Sequence, residues 1–457
     1  MFSKHLSIAA SIASVLALSS FEAFAQTERI LLENFSFYEA SSESMLMADN
    51  MLIENGIIKS FNYTGKCGGC ERIDLEGGYL IPGLIDAHQH IADGGFAKRN
   101  LDERLALYRR NLYWGITTTF DPNVRRGVMR ALKAAVRERP NDYPSYFAAG
   151  QSITVPGGWG DKKVTSFPEV RNTVNLALAS GSDAVKVSFD DKSWLSSNPM
   201  QKFPVEWLEQ TAAYTHRLKR KVYVAAARAD DVQAALNVGV DGILQGTVDK
   251  QLSDATINTL RDKQIPYIST FAMFEAIADV QTSVKEQHVF DPDNINTNLL
   301  YQNMGSDLMV TNWEDWWDNS RYLKAKLPVL RANTLMLVNK GALVGIGTDA
   351  GTPSVIFGAS LPYEMELHER IQIPPLKVLK LATLNNAKII GIDEYTGSIT
   401  EGKEADLIYL TDNPADGIRA LNSMVWVMQN GVKLFRQGIV DNKDKPLPPK
   451  RGVKPAE

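Results

Sequence analysis

Residues 79–90 read YLIPGLIDAHQH, an apolar run that closes on Asp86, His88 and His90. Side chains at i and i+2 of an extended segment point the same way, so His88 and His90 are expected to converge where this strand ends. Seven further apolar runs follow: GITTTFD (115–121), SYFAAGQSI (145–153), DAVKVSF (183–189), KVYVAAA (221–227), GILQGT (242–247), IPYISTF (265–271) and LVGIGTD (343–349). Amphipathic stretches such as ERLALYRRNLYW (103–114), WLEQTAAYTHRLK (207–219) and DVQAALNVG (231–239) separate most of them. Strands alternating with helices are the pattern of a parallel sheet covered by helices. Eight such units predict an α/β fold, a (β/α)8 TIM barrel, whose chemistry sits at the C-terminal ends of the strands.

On either side of this region the texture changes. ILLENFSFY (30–38), MLIENGIIKSF (51–61) and EGGYLIPG (76–83) are short alternating runs with turn residues between them, and read as β-hairpins. The same texture returns in TGSI (396–399), ADLIYLT (405–411) and VWVMQNGVKLF (425–435). The expected organisation is a first part of a flanking β-sandwich over residues 26–80, the barrel over 81–397, the second part of the sandwich over 398–439, and a Pro- and Lys-rich tail over 440–457. Between the last two strand candidates lies a long insertion with Trp313, Trp316 and Trp317, readable as a lid or as a packed helix face.

The first 25 residues have the form of a signal peptide. Lys4 supplies the positive start, Leu6 to Leu18 an apolar core too short to span a membrane, and Ala23-Phe24-Ala25 a small-x-small cleavage site. Cleavage after Ala25 predicts a periplasmic or secreted protein. No Cys stands at the cleavage point, which argues against a lipid anchor there. No later stretch reads as transmembrane. The net charge of −4 gives no basic excess for a nucleic-acid or anionic-membrane partner. The expected partner is a small-molecule substrate; homo-oligomerisation is left open. The two cysteines, Cys67 and Cys70, suit a small-loop disulfide in an oxidising compartment better than a redox motif or a zinc ribbon, which need a context absent here.

Three signals carry chemistry. Imidazole is a common ligand for zinc-like metals, but a lone His-x-His is more often a chance pair or a pair of surface residues. Asp349 strengthens the reading, because it ends the buried run LVGIGT, where a carboxylate is costly unless paired or bound to a cation. It can ligate metal and move a proton, or merely cap the next loop. Lys186, between Val185 and Val187, must face inward if the valines face outer helices. A buried lysine tends to lose its proton, and the neutral amine can take up CO₂ as a carbamate. The plainer alternative is an ion pair with Asp183 or Asp190.

Together these segments resemble the amidohydrolase superfamily, in its imidazolonepropionase- and prolidase-like branch. YLIPGLIDAHQH resembles its opening signature, GIGTDAG (345–351) its eighth-strand motif, and residues 381–410 its return into the flanking sandwich. GITTTFD and AAGQSITVPGGWG (148–160) fit its second and third strands. The resemblance implies a hydrolase of carbon–nitrogen bonds in amides, lactams, N-acyl amino acids or dipeptides, working through metal-activated water. It assigns His88, His90 and Asp349 as metal ligands, Lys186 as a carbamylated bridging ligand, and Asp349 as the catalytic base and acid.

Three positions depart from the pattern. Ala225, and nearby Ala227, stand where the family has histidine after strand five; Gln245 replaces the histidine of strand six; Trp159 in GGWG replaces a histidine. Alanine offers no ligand atom and an amide is a poor substitute for imidazole. The expectation is therefore one divalent metal, zinc or else manganese or cobalt, with Trp159 and Gln245 lining the substrate. Asp121, Asp190 and Glu275 are the candidates to fill the gap near Ala225 and Gln245. His216, His288 and His368 read as surface or packing residues. The alternative reading is a binding protein on the same scaffold that has lost catalysis.

Overall fold

The computed structural model describes residues 28–91, 99–195, 198–296 and 320–441. The segment expected to be a signal peptide, the insertion tryptophans and the tail beyond residue 441 lie outside the described residues. The N-terminal hairpins form β1 (Arg29–Glu39), β2 (Ser44–Glu54), β3 (Ile57–Phe61), β4 (Glu71–Asp74) and β5 (Tyr79–Pro82). The eight apolar runs become β6 (Leu84–Asp86), β7 (Ile116–Asp121), β8 (Ser145–Ala148), β11 (Ala184–Ser188), β12 (Lys221–Ala225), β13 (Gly242–Leu244), β14 (Tyr267–Ser269) and β15 (Val344–Ile346). Two short strands, β9 (Ile153–Thr154) and β10 (Lys162–Lys163), lie in the segment after β8. The C-terminal strands are β16 (Leu407–Leu410), β17 (Met424–Gln429) and β18 (Val432–Phe435).

The fold is of the TIM-barrel type. β6, β7 and β8 pair in parallel, as do the seven strands in the order β10-β9-β11-β12-β13-β14-β15. Two backbone bonds run between the groups: Asp183 N donates to Ala148 O at 2.8 Å, and Ala87 N donates to Ile346 O at 3.2 Å. Inward residues Ala87, Phe120, Ala149, Ala184, Tyr223, Leu244 and Ile268 form one apolar cluster. Their neighbours Val185, Val187, Val222 and Val224 belong instead to the large cluster shared with the helices. Apolar side chains on both faces explain why these strands read as continuous hydrophobic runs rather than alternating ones.

The strands expected as a sandwich form one mixed sheet of eight strands, ordered β18-β17-β16-β5-β1-β2-β3 with β4 beside β1. Both chain ends meet in it, since Ile81 of β5 pairs antiparallel with Ile408 of β16. Its core joins Ile30, Leu32, Met51, Leu80, Leu407 and Trp426. Cys67 and Cys70 are joined in a disulfide.

The run LKVLKLATLNNAKIIG is helical as expected, but winds as a wider π-turn over Leu381–Asn385. That turn aims two asparagines at the strands. Asn385 Nδ2 donates to Val344 O at 2.8 Å. Asn386 Nδ2 donates to Ile85 O at 2.6 Å and Ile346 O at 2.7 Å, while its Oδ1 accepts from Ile346 N at 3.0 Å. A single side chain thus ties the first apolar strand to the eighth. Among the described residues, no helix is long and apolar enough to cross a membrane.

Candidate metal centre

His88 and His90 do not lie on the strand itself. β6 ends at Asp86, and the His-x-His run is an irregular extension held by its neighbours on both sides. Gln89 N donates to Phe120 O at 3.1 Å and His90 N to Ala350 O at 2.6 Å, while His88 O accepts from Asp349 N at 2.7 Å. Asp86 braces the turn: its Oδ1 accepts from His88 N and Thr348 N, both at 3.1 Å, and its Oδ2 from Thr348 Oγ1 at 2.7 Å. Burial pushes the Asp86 carboxyl up to about 7 despite those donors. The segment after β15 must approach closely, and Gly347 permits it, because a Cβ there would strike His88. Asp349 takes a left-handed backbone (φ 57°), which aspartate tolerates better than most residues.

The outcome is convergence. One ligand atom each from His88, His90 and Asp349 lies within 4.8 Å of the others, and all three residues are buried. His90 Nε2 is 3.2 Å from His88 Nε2 and 3.1 Å from Asp349 Oδ1; His88 Nε2 is 3.7 Å from the same oxygen. Behind His90, Nδ1 lies 3.1 Å from Asp121 Oδ1. Asp121 is fixed in turn by Tyr146 OH and Asn123 N, each at 3.1 Å. A proton on Nδ1 for Asp121 leaves the His90 Nε2 lone pair turned toward the cluster, the arrangement found behind metal-bound histidines.

The three residues are also coupled through their charges. Burial opposes charge on His90, but the hydrogen bonds to Asp121 and Asp349 prevail and raise its pKa to about 10. Burial, with Lys186 and His90 beside it, keeps His88 neutral and well below its ordinary value, although Asp349 pulls the other way. Burial would raise Asp349, but His88, His90 and Lys186 outweigh it and hold the carboxyl well below the usual range. A proton on His90 Nε2 bridges to Asp349 Oδ1. A divalent cation fits the same position, drawing one lone pair from each imidazole and one carboxylate oxygen.

Lys186 is buried on the inward face of β11, two residues from Ala184 of the inner cluster. Its charge acts on all three cluster residues. Gln245, buried at φ 71°, donates from Nε2 to Asp349 Oδ2 at 3.3 Å, and its Oε1 has no hydrogen-bond partner among the described residues.

The amidohydrolase family pattern matches residues 79–440. The chain belongs to the amidohydrolase family. Among its relatives, an uncharacterized protein of Methanocaldococcus jannaschii is 24% identical over 400 residues, 80% of this chain and 86% of that protein. An adenine deaminase of Desulfitobacterium hafniense is 22% identical over 91% of this chain, which spans only 59% of that enzyme. Among solved structures, a Xaa-Pro dipeptidase with bound methionine superposes with a TM-score of 0.73 at 20% identity, covering 89% of this chain and all (100%) of that one.

None of the three acids expected to fill the gap near Ala225 and Gln245 joins the cluster. Asp121 backs His90. Asp190 accepts from Trp194 Nε1 on both oxygens, at 3.1 and 2.8 Å, and from Lys192 N. Glu275 is paired with Arg331. Ala225 and Ala227 are buried, and the only group of three or more His, Cys, Asp or Glu among the described residues is His88, His90 and Asp349. His216 pairs with Asp241 at 2.7 Å near the surface. His368 is a packing residue, stacked on Phe271 at 4.3 Å and bonded to Ser269 Oγ at 2.6 Å. Trp159 is about half exposed (53%) and lies under the Lys192 ammonium. Sequence reasoning passed over Lys192 and Trp194; their one visible signal is the pair of acids, Asp190 and Asp191, just after β11.

Proposed function

We propose that this protein is a hydrolase of carbon–nitrogen bonds in small amides, working with one divalent cation at His88, His90 and Asp349. The convergence of those three ligand atoms is the observation that carries the reading. A cation there supplies Lewis acidity, lowering the pKa of water and polarising a carbonyl oxygen. Asp349 presents Oδ1 to the histidines and Oδ2 to Gln245, so it is suited to take a proton from attacking water and return it to the departing nitrogen. Asp121 keeps His90 in its ligating tautomer. Gln245 steadies Asp349, and its unpaired Oε1 can accept from a substrate N–H. Lys186, as an amine or a carbamate, completes the ring of charge. Zinc suits this nitrogen-and-oxygen donor set, and manganese or cobalt would also fit it.

Single occupancy follows from Ala225, Ala227 and Gln245, which put no imidazole across from the pair. The same proposal takes the eight strands as a closed barrel over residues 81–397, supported by the Ala87–Ile346 and Asp183–Ala148 bonds and by Asn386. Export, with residues 1–25 removed, is in keeping with the Cys67–Cys70 disulfide.

Metal analysis of purified protein, combined with a hydrolysis screen of dipeptides, N-acyl amino acids and lactams, tests the reading. About one ion per chain is expected. It should be lost in His88→Ala and in Asp349→Asn together with hydrolysis. A chain that never retains zinc, manganese or cobalt would leave the scaffold a binding protein.

A further inference from the structure

The helix Arg126–Glu138, RGVMRALKAAVRE, follows β7 on the outside of the strands and carries a stripe of cations. Arg126, Arg130, Lys133 and Arg137 follow one another at spacings of four, three and four residues, which places them within an arc of about 60°. Met129 and Leu132 point elsewhere, into the core shared by strands and helices. The helix's one acid, Glu138, projects about 110° away from the middle of the stripe. Taken alone, the helix is worse off for this arrangement. Arg126 and Arg130 are like charges four residues apart, which repel. Arg126 in the first turn also opposes the macrodipole, and that turn holds no acid. Of the four cations, only Lys133 forms an ion pair among the described residues, with Asp183 at 2.5 Å. The three arginines are exposed.

The stripe borders a groove whose other wall is the helix Phe167–Ala179 with the turn after it. One stretch, of about 560 Å³, runs past Arg130 and Arg137 to Gly181; another, of about 120 Å³, lies between Arg126, Lys162 and Thr173. Among the described residues, neither stretch is lined by a carboxylate or an aromatic ring. The floor is open: a Cβ on Gly127 would meet nothing within 4 Å.

We propose that this groove docks an extended acidic peptide segment of a partner protein, whose carboxylates are taken by Arg126, Arg130 and Arg137. Arg126 and Arg130 lie about 6 Å apart along the helix axis, as do Lys133 and Arg137. Side chains on one face of an extended peptide repeat at roughly 6.7 Å, so acids at alternate positions meet successive cations. Each guanidinium can hold a carboxylate through two parallel N–H bonds. A bound acid also relieves the repulsion between Arg126 and Arg130. A single-stranded nucleic acid would be held by stacking on aromatic rings, and none lines the groove. A recess between helices about 10 Å apart is too narrow for a bilayer surface to enter. Docking there is independent of hydrolysis at the metal centre.

The test is fluorescence anisotropy of the purified protein with a labelled peptide of alternating Glu and Thr, about eight residues long, and with the same peptide carrying Gln for Glu. At low salt the Glu peptide should bind at least about tenfold more tightly, the combined scale of three exposed ion pairs, and most of that preference should vanish at about 1 M salt. Arg130→Glu/Arg137→Glu should bring the two affinities within roughly twofold. Arg130→Gln/Arg137→Gln, a milder pair, should reduce the preference in the same direction and covers the case in which the charge reversal does not fold. Lys285→Glu/Lys340→Glu makes the same change of net charge at exposed lysines that do not line the groove, and should keep the preference. Equal affinities in the wild type overturn the proposal without recourse to any variant. So does a preference that survives in a folded Arg130→Gln/Arg137→Gln protein, or one that is lost equally in the lysine control. Tighter binding of an oligothymidylate or of phosphatidylglycerol vesicles than of the Glu peptide gives the groove to another anion and likewise overturns it.

Discussion

His90 Nδ1 and Asp121 Oδ1 lie 3.1 Å apart, and Asp121 holds that position through Tyr146 and Asn123. The proposed metal centre would therefore depend on a carboxylate outside the His88, His90 and Asp349 cluster. Loss of such a partner typically weakens metal binding 10- to 100-fold, roughly, because the imidazole is no longer held in one tautomer and one orientation. Asp121→Ala is expected to weaken zinc binding by about that factor in a chelator competition, with the protein still folded. Affinity equal to wild type would remove Asp121 from the centre.

Asn386 makes three buried hydrogen bonds to Ile85 and Ile346, strands far apart in sequence. Truncation removes all three bonds in a dry environment: the donor to Ile85 O, one of the two donors to Ile346 O (Ala87 N remains), and the acceptor for Ile346 N. At about 1 kcal/mol or more for each, Asn386→Ala should cost roughly 3 kcal/mol of stability. The urea unfolding midpoint measures it, and a midpoint within error of wild type would refute the strand-tying role.

Asp406 is buried in the mixed sheet, where burial pushes its carboxyl up to about 7 in spite of hydrogen bonds from Asn430 N and Thr396 Oγ1. Its raised folded-state pKa means that the unfolded chain ionises first. Stability is therefore lost as pH climbs from about 4 through about 7, and the loss is constant above that. An asparagine in its place cannot ionise and can keep both contacts. Asp406→Asn should match wild type near pH 4 and exceed it by a few kcal/mol, roughly, at pH 8. Melting curves across that range decide it; an Asp406→Asn advantage independent of pH would mean that ionisation is not the cause.

Much of this was legible in the chain itself. The eight apolar runs became strands because residues buried on both faces leave a continuous hydrophobic signal. His88, His90 and Asp349 could be found because their residue types are costly at the ends of such runs. Less legible was what depends on partners distant in sequence. The histidine pair converges through backbone bonds to Phe120 and Ala350 rather than through strand alternation, and no local pattern encodes that. Asp121 stood out for the right reason, a buried acid ending a strand, yet it backs His90 instead of facing Ala225. The bonds of Asn386 exist only once its neighbours are assembled.

The pairing of β5 with β16 has a consequence for how the molecule comes to exist. β5 is hydrogen-bonded to β1 on one side, but its other edge finds a partner only in residues 407–410, near the opposite end of the described chain. Contacts so distant along the polymer form late, because the entropy of closing the intervening loop must be lost before they return anything. Until residues 407–410 dock, β5 therefore carries an open strand edge, of the kind that invites pairing with another molecule. Residues 407–410 thus serve as the closing piece for the N-terminal strands, and any variant that unfastens β16 re-exposes the edge of β5.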